Sequence, residues 1–400
     1  MGAEGVTKVL FSCSSVGITH RGIESFFRES FDNLKDAPGM DAMLVKGGGE
    51  PRENEKVVWC LAKTSRLACL VGRFTGRSAY AVEQWTSFPG VVRAIRSFRP
   101  DVVFYSDSNL GFLLHRFRSL MGVPFRLLFS NGGPCHPPFD RCDFVHQVAP
   151  FYLNEAIAAA ESPAKHFLVP YGIRVPAPPD MTTDEQRALR GKLGLPLDRR
   201  IVLSVGWISR QHKRMDYVIE ETARLPSPRP FLLLLGAVDE RSDSVVDLGN
   251  HLLGPENFDV RSVPYEQVGD FYRAADVFVL GSLVEGFGRV YLEALMHGLP
   301  TIGHCHSVME YVLGNAGVLA DLSQPGNLAA VLAEELARQA DAGMLESWQR
   351  WESVRSRFGW EVLRPQYMEM FRAVADRRAM PRGHLSPLSG ASPRPALSSP

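Results

Sequence analysis

Four hundred residues, set against about 150 residues per domain, imply two or three domains and exclude a single small module. The composition, 45% apolar and 22% charged, is that of an ordinary globular chain. The 44 basic residues cancel the 44 acidic ones, which excludes a global field drawing in nucleic acid or an anionic membrane and leaves any anionic ligand to a local site.

Short Val-, Ile-, Leu- and Phe-rich runs alternate with amphipathic stretches along the chain, the pattern of βα units around a buried parallel sheet. Strands are predicted at Lys8 to Cys13, Asp41 to Lys46, Asp101 to Tyr105, Arg126 to Ser130, Phe144 to Val148 and His166 to Val169. Helices are predicted between them at Gly22 to Leu34, Val91 to Phe98, Asn109 to Met121 and Tyr152 to Ala160. The Pro-rich stretch Pro170 to Asp180 and a charged segment up to Arg200 then read as a hinge. A second strand series follows at Ile201 to Gly206, Phe231 to Gly236, Phe258 to Val263, Asp276 to Ser282, Pro300 to Gly303 and Gly317 to Ala320, with helices at Met215 to Leu225 and Arg289 to His297. The expected fold class is α/β, with two doubly wound parallel-sheet domains. Trp348 to Val374 reads as terminal helices. The last stretch, rich in Pro, Ser and Gly and free of acidic residues, is expected to be disordered.

Six cysteines (Cys13, Cys60, Cys69, Cys135, Cys142 and Cys305) form no CxxC pair and no dense framework, which points to free thiols in a reducing compartment. The start, MGAEGVTKVLFSCSS, lacks the basic and apolar regions of a signal peptide, and Val6 breaks the myristoylation pattern. No window approaches the ~18 consecutive apolar residues of a membrane span. A cytoplasmic protein is expected, at most peripheral to the inner face of a membrane.

P-loop, zincin and first-strand dinucleotide fingerprints are all missing. The informative segment is ADVFVLGSLVEGFGRVYLEALMHGLP, Ala275 to Pro300. A strand leads into a loop carrying Glu285, Gly286, Phe287 and Gly288, and a helix starts near Arg289. Glycines before a helix let backbone N–H groups approach a ligand, and the helix N-terminus favours an anion such as a diphosphate. Glu285 on the loop and Glu293 in the helix are placed to grip two hydroxyl-bearing parts of one ligand. Spacing alone leaves open an ordinary loop acid and a solvated helix face, with Val290, Ala294 and Leu295 on the buried side.

The run EGFGRVYLE resembles the Glu-x7-Glu signature of the retaining glycosyltransferases of family 4, the group 1 glycosyl transferases, which use nucleotide sugars on a two-domain GT-B fold. SVGWISRQHKRMDYVIEE (Ser204 to Glu221) resembles that family's first C-terminal-domain strand and phosphate loop. The resemblance implies two Rossmann-like domains facing each other across a cleft. Residues 1–172 would form the acceptor-side domain, 173–194 the hinge, 195–360 the nucleotide-sugar-binding domain, 361–378 a helix packing back on the first domain, and 379–400 the disordered tail. It further implies that Glu293 binds the ribose hydroxyls, Glu285 contacts the transferred sugar, and the backbone of Gly286, Phe287 and Gly288 faces sugar and diphosphate. Lys213 matches the phosphate-binding Lys and, with Glu285, would carry catalysis.

Where the family has an Arg after the strand glycine, this chain has Trp207, and Arg210 is the candidate replacement. The loop Ser14 to Ser25 resembles the family's donor-phosphate loop, with Gly17 and Gly22 as candidates and turn glycines as the alternative. At the strand end where many members carry a His, this chain has Ser130-Asn131-Gly132-Gly133, so Asn131 is the candidate donor contact. His304-Cys305-His306 lacks an evident third ligand, and no metal is expected. Arg93, Arg96, Arg99, His115, Arg116 and Arg118 read as solvated helix faces, with a basic patch for a membrane or an anionic acceptor as the alternative.

The function implied is transfer of a hexosyl group from a nucleoside-diphosphate sugar to an acceptor hydroxyl with retention, and without a cofactor. The acceptor is a small molecule, a glycan or a lipid-linked sugar; nucleic acid is not expected. A GT-B nucleotide-sugar epimerase or a catalytically weak sugar-nucleotide-binding module is the alternative.

Overall fold

The computed structural model describes residues 5–133, 135–240, 242–338 and 344–376. The expected tail lies outside them. Seven parallel strands form the first sheet: β1 (Thr7–Cys13), β2 (Met40–Lys46), β3 (Glu55–Val57), β4 (Val102–Tyr105), β5 (Arg126–Asn131), β6 (Phe144–Gln147) and β7 (His166–Leu168). Their spatial order is β3-β2-β1-β4-β5-β6-β7. The second sheet holds β8 (Ile201–Val205), β9 (Phe231–Leu235), β10 (Phe258–Arg261), β11 (Val277–Val279), β12 (Thr301–His304) and β13 (Val318–Ala320), in the order β10-β9-β8-β11-β12-β13. Every residue of β8 and β9 is buried, as expected of strands with helices on both faces, where a continuous apolar run replaces alternation.

Both sheets reverse their winding beside their first strand, between β1 and β4 and between β8 and β11, with Phe11 opposite Phe104 and Leu203 opposite Phe278. In an open parallel sheet the loops leaving the carboxyl ends of the two strands at such a switch point diverge and leave a crevice between them. The phosphate-loop candidate leaves β8 and the EGFG loop leaves β11, so the topology alone brings those two segments together.

Aromatic packing ties the terminal helix Trp360–Ala375 to the first sheet. Phe11, Phe26, Phe27 and Phe104 are fully buried, and Phe371 stacks edge-on against Phe11 and Phe104 at 5.6 and 5.3 Å. The Tyr367 hydroxyl donates to the Pro170 carbonyl at 2.9 Å. The chain crosses between the halves twice, and the two crossings pair with each other: Ile173 bridges to Gly359, and its N–H donates to the Phe358 carbonyl at 2.9 Å.

Several elements differ from expectation. The short strand β3 and the helix Arg66–Thr75 were not anticipated. The predicted Val91 to Phe98 helix begins at Ala79 and runs through Pro89. Asn109 to Met121 divides at Phe117 into the helices Ser108–Arg116 and Arg118–Met121. Within the charged segment before Arg200 lies the helix Thr183–Lys192, started by a Thr182 and Glu185 capping box. The terminal helical stretch breaks at Gly359, the residue that pairs with the hinge.

Candidate active site

Lys213 and Glu285, 72 residues apart, meet at the second switch point, with Nζ 2.6 Å from Oε1. Glu285 is nearly enclosed and Lys213 mostly so. The loop carrying the lysine is held by its neighbours: His212 and Arg214 both adopt left-handed backbone, at φ 27° and 48°. The Arg214 guanidinium donates to the carbonyls of Gly281 and Leu322 at 3.2 and 2.7 Å. Gly281 permits the approach, since a Cβ there would lie 2.7 Å from the Arg214 carbonyl oxygen.

Glu293 projects from the second turn of the helix Arg289–Met296 and is buried rather than solvated. The Tyr272 hydroxyl donates to its Oε2 at 3.1 Å, and the Tyr265 hydroxyl stands 3.5 Å from its Oε1. Burial pushes this carboxyl above its ordinary value, against the pull of the nearby Arg289 guanidinium and the Tyr272 hydroxyl. The helix buries Tyr291, Leu292, Ala294 and Leu295, while Val290, expected inside, is only partly buried. Phe287 inserts its ring between Tyr171 and Phe358, at 5.2 and 5.8 Å, which leaves its backbone as the part a ligand can meet. Gly288 takes φ 76° as the residue before the helix.

The first half closes over this loop. A Cβ on Gly286 would sit 2.6 Å from the Gly132 carbonyl oxygen, so two predicted loops, one from each half, touch backbone to backbone. Beside them the Tyr152 hydroxyl donates to the Gly286 carbonyl at 2.7 Å and lies 3.2 Å from that of Glu285.

Other candidates are placed differently. Asn131 is fully buried, and its amide is engaged by Gln147 Oε1 at 2.9 Å and by both backbone groups of Cys135. The strand end it belongs to reaches the EGFG loop through Gly132 instead. Arg210 turns to Ser244, donating to its Oγ and carbonyl at 3.1 and 3.0 Å, with Asp216 at 3.9 Å. The basic group that joins Lys213 on the Glu285 carboxylate is His212, with Nδ1 at 3.8 Å. Gly17, at φ 81°, packs against the 47–49 glycine run, where any Cβ would overlap the Gly48 carbonyl. That is the turn alternative. Gly22 sits beside Arg289, with 3.7 Å between an added Cβ and the Arg289 Cδ.

A buried polar network at the carboxyl ends of β1 and β4 had no sequence signal. Asp107 accepts from the Ser14 N–H and the Tyr80 hydroxyl at 2.7 and 2.9 Å. Lys63 donates to Ser15 Oγ and Glu24 Oε1 at 2.9 and 3.2 Å, and Arg21 donates to Glu24 at 2.6 Å. Of the residues considered for metal, His306 accepts from the Val308 N–H and starts the helix Ser307–Leu313. The third donor near His304 and Cys305 is Asp321, these atoms lying within 4.8 Å of one another. The His304 Nδ1 already accepts from the Leu322 N–H.

Two parallel Rossmann-like halves, meeting where the switch-point loops of the second sheet carry a Lys–Glu pair, define the class of GT-B glycosyltransferase folds. Residues 185–349, most of the second half, match the family described as Glycosyl transferases group 1. D-inositol 3-phosphate glycosyltransferase of Xylanimonas cellulosilytica is 30% identical over 209 residues, 51% of this chain and 49% of that protein. The chain thus spans about half the length of the curated relatives it matches. Sucrose-phosphate synthase of Thermosynechococcus elongatus superposes with a TM-score of 0.73 at 17% identity, over 93% of this chain and 100% of that one. Anabaena Alr3699/HepE, solved in complex with UDP and glucose, gives 0.71 at 14% identity over 92% and 100%.

Proposed function

We propose that this protein is a glycosyltransferase that moves a hexosyl group from a nucleoside-diphosphate sugar to an acceptor hydroxyl with retention of configuration. The observation that carries the reading is the Lys213–Glu285 pair at the β8/β11 switch point, with the buried carboxylate of Glu293 in the second turn of the adjoining helix. In this reading Glu293 accepts hydrogen bonds from the ribose hydroxyls and Glu285 from hydroxyls of the sugar. The backbone N–H groups from Gly286 to Arg289 face sugar and diphosphate, and the helix dipole favours the negative charge there. His212 is the second basic group, in place of Arg210.

Retention follows if the acceptor oxygen attacks C1 on the face from which the diphosphate departs. The new C1–O bond forms as the bond from C1 to the phosphate oxygen breaks, and the acceptor proton passes to a departing phosphate oxygen. Lys213 stabilises the charge growing on the leaving group, so positioning and leaving-group electrostatics supply the acceleration, and the reaction as drawn needs no metal. The first half supplies the acceptor side, with Arg21, Lys63 and Tyr80 at the carboxyl ends of its switch-point strands. Six unpaired cysteines suit a reducing, cytoplasmic setting.

The test is release of nucleoside diphosphate from UDP-, GDP- and ADP-sugars, followed with and without sugar, inositol and lipid-linked acceptors. Acceptor-dependent release that is lost in Glu285→Gln supports the reading. Release from none of the donors contradicts it.

A further inference from the structure

The helix Arg66–Thr75 is amphipathic in the wrong direction for a helix on a globular domain. Its inward face is Ala68 and Gly72, both buried, and Gly72 fits so closely that a Cβ would lie 2.6 Å from the Arg77 carbonyl. Its outward face carries the large apolar side chains: Leu67 is 53% exposed, Leu70 50% and Phe74 84%. These positions, spaced by three and four residues, form one continuous stripe. Ordinary folding pressure places such residues inside and small or polar ones outside, so the first sheet's packing does not account for the stripe. Upstream, Trp59 is 72% exposed, on a segment tied to the same long Ala79–Phe98 helix through the Leu61 N–H and Thr86 Oγ1.

The charge around the stripe is of one sign. Residues 56–82 contain Lys56, Lys63, Arg66, Arg73 and Arg77 and no acidic residue, in a chain whose overall charge is zero. Arg66 and Arg73, seven residues apart, line one flank of the stripe, and both are exposed. Arg77 follows the helix end and lies over the Trp85 ring at 5.0 Å. A second copy of the chain is a poor occupant: a two-fold contact would set these arginines against their own copies. Three side chains also fall well short of the ~800 Å² per partner that a stable interface needs.

We propose that the Arg66–Thr75 helix is a docking element for an anionic lipid bilayer, with Leu67, Leu70 and Phe74 entering the headgroup–acyl boundary and Arg66, Arg73 and Arg77 meeting the lipid phosphates. The combination of Leu and Phe on one face with arginines beside it is the chemistry of a helix lying in the membrane interface. Among the described residues no helix is long and apolar enough to cross a membrane, and a surface helix of this kind makes contact without spanning. The inference does not rest on the transferase reading.

The test is co-sedimentation of the full chain with vesicles of phosphatidylcholine alone and of phosphatidylcholine mixed with phosphatidylglycerol. Binding to the anionic vesicles only, weakening as salt rises, is expected. Leu70→Ser with Phe74→Ser should reduce it at least tenfold, and Arg66→Gln and Arg73→Gln by about fivefold each. Unchanged melting temperatures and nucleotide binding in these surface variants would show that the fold is intact. Equal binding to neutral vesicles, no binding to either, or wild-type retention in the Leu70 and Phe74 double variant overturns the proposal. Light scattering that shows a dimer lost in that variant overturns it as well, assigning the face to a second copy.

Discussion

The Lys213 ammonium lies 2.6 Å from the Glu285 carboxylate, a contact between two loops that leave neighbouring strands at the point where the second sheet reverses its winding. Each group fixes the other. If a diphosphate binds here as proposed, the lysine's remaining N–H donors are already directed, and little reorganisation would accompany the growth of charge on the leaving group. Lys213→Met should therefore lower kcat by about 10²- to 10³-fold, the usual cost of removing one such donor, with a smaller change in KM for the donor. Steady-state release of nucleoside diphosphate measures both. A change of kcat below about threefold would remove the lysine from the mechanism.

Glu293 is expected to bind nucleotide as a carboxylate, although burial pushes its pKa up. As pH falls, it takes up its proton above the ~4.3 of an ordinary glutamate, and the acceptor for two ribose hydroxyls is lost. Nucleoside diphosphate affinity should therefore decline on acidification from a pH higher than an exposed carboxylate would dictate. Glu293→Gln should bind about 10- to 100-fold more weakly, as hydrogen bonds to a charged group are worth about 1.5–3 kcal/mol, and should lack that acid limb. Calorimetry across pH on both proteins decides it; an identical acid limb in the variant would place the titration elsewhere.

Gly286 faces Gly132 across the two halves with no room for a methyl group, the nearest atom being backbone 2.6 Å away. Gly286→Ala must push the EGFG loop off its seat or spread the halves. Turnover should drop at least tenfold while the nucleotide, which the proposed reading assigns mainly to the second half, binds within about threefold of wild type. Parallel activity and calorimetry separate the two effects. Equal losses in both would mean that the whole donor site had collapsed.

Arg289 opens the signature helix, where a cation opposes the helix dipole. It is held there by Glu29 of the Gly22–Leu34 helix at 2.6 Å and by the Gly172 carbonyl at 2.8 Å. Glu29 also accepts from the Arg174 N–H at 3.1 Å, so this pair links the signature helix to the hinge. Arg289→Met should destabilise the protein by about 3–5 kcal/mol through the enclosed carboxylate left behind, and the double variant with Glu29→Gln by less. Denaturant unfolding of the single and double variants reports the difference. Strictly additive losses would show that the two side chains act independently.

The strands and the EGFG loop were legible because each is a local pattern: an apolar run such as Ile201 to Gly206, or glycines before a helix. Lys213 and Glu285 were legible as separate positions, and the sheet order supplies their contact. Tyr152, Tyr265 and Tyr272 carried no signal, since a tyrosine in an amphipathic helix or a loop reads as packing until a carboxylate or a carbonyl is found opposite its hydroxyl. The Arg289–Glu29 pair spans 260 residues, and no local pattern encodes a partner at that distance. Asn131 and Arg210 looked available only because their own partners, Gln147 and Ser244, lie 16 and 34 residues away. The outward Leu67, Leu70 and Phe74 were missed for the opposite reason: their spacing is that of a core-facing helix, and only the fold shows which side faces out.

The β8/β11 switch point is expected to hold a nucleoside diphosphate, which calorimetric titration of UDP, GDP and ADP into the chain measures. Saturable one-to-one binding of at least one of them is predicted, with melting stability raised by about 2.7 kcal/mol at a hundredfold excess over Kd, and with both effects strongly reduced in Glu293→Ala. No binding of any of the three to a folded wild-type protein, or binding unchanged in Glu293→Ala, would contradict it.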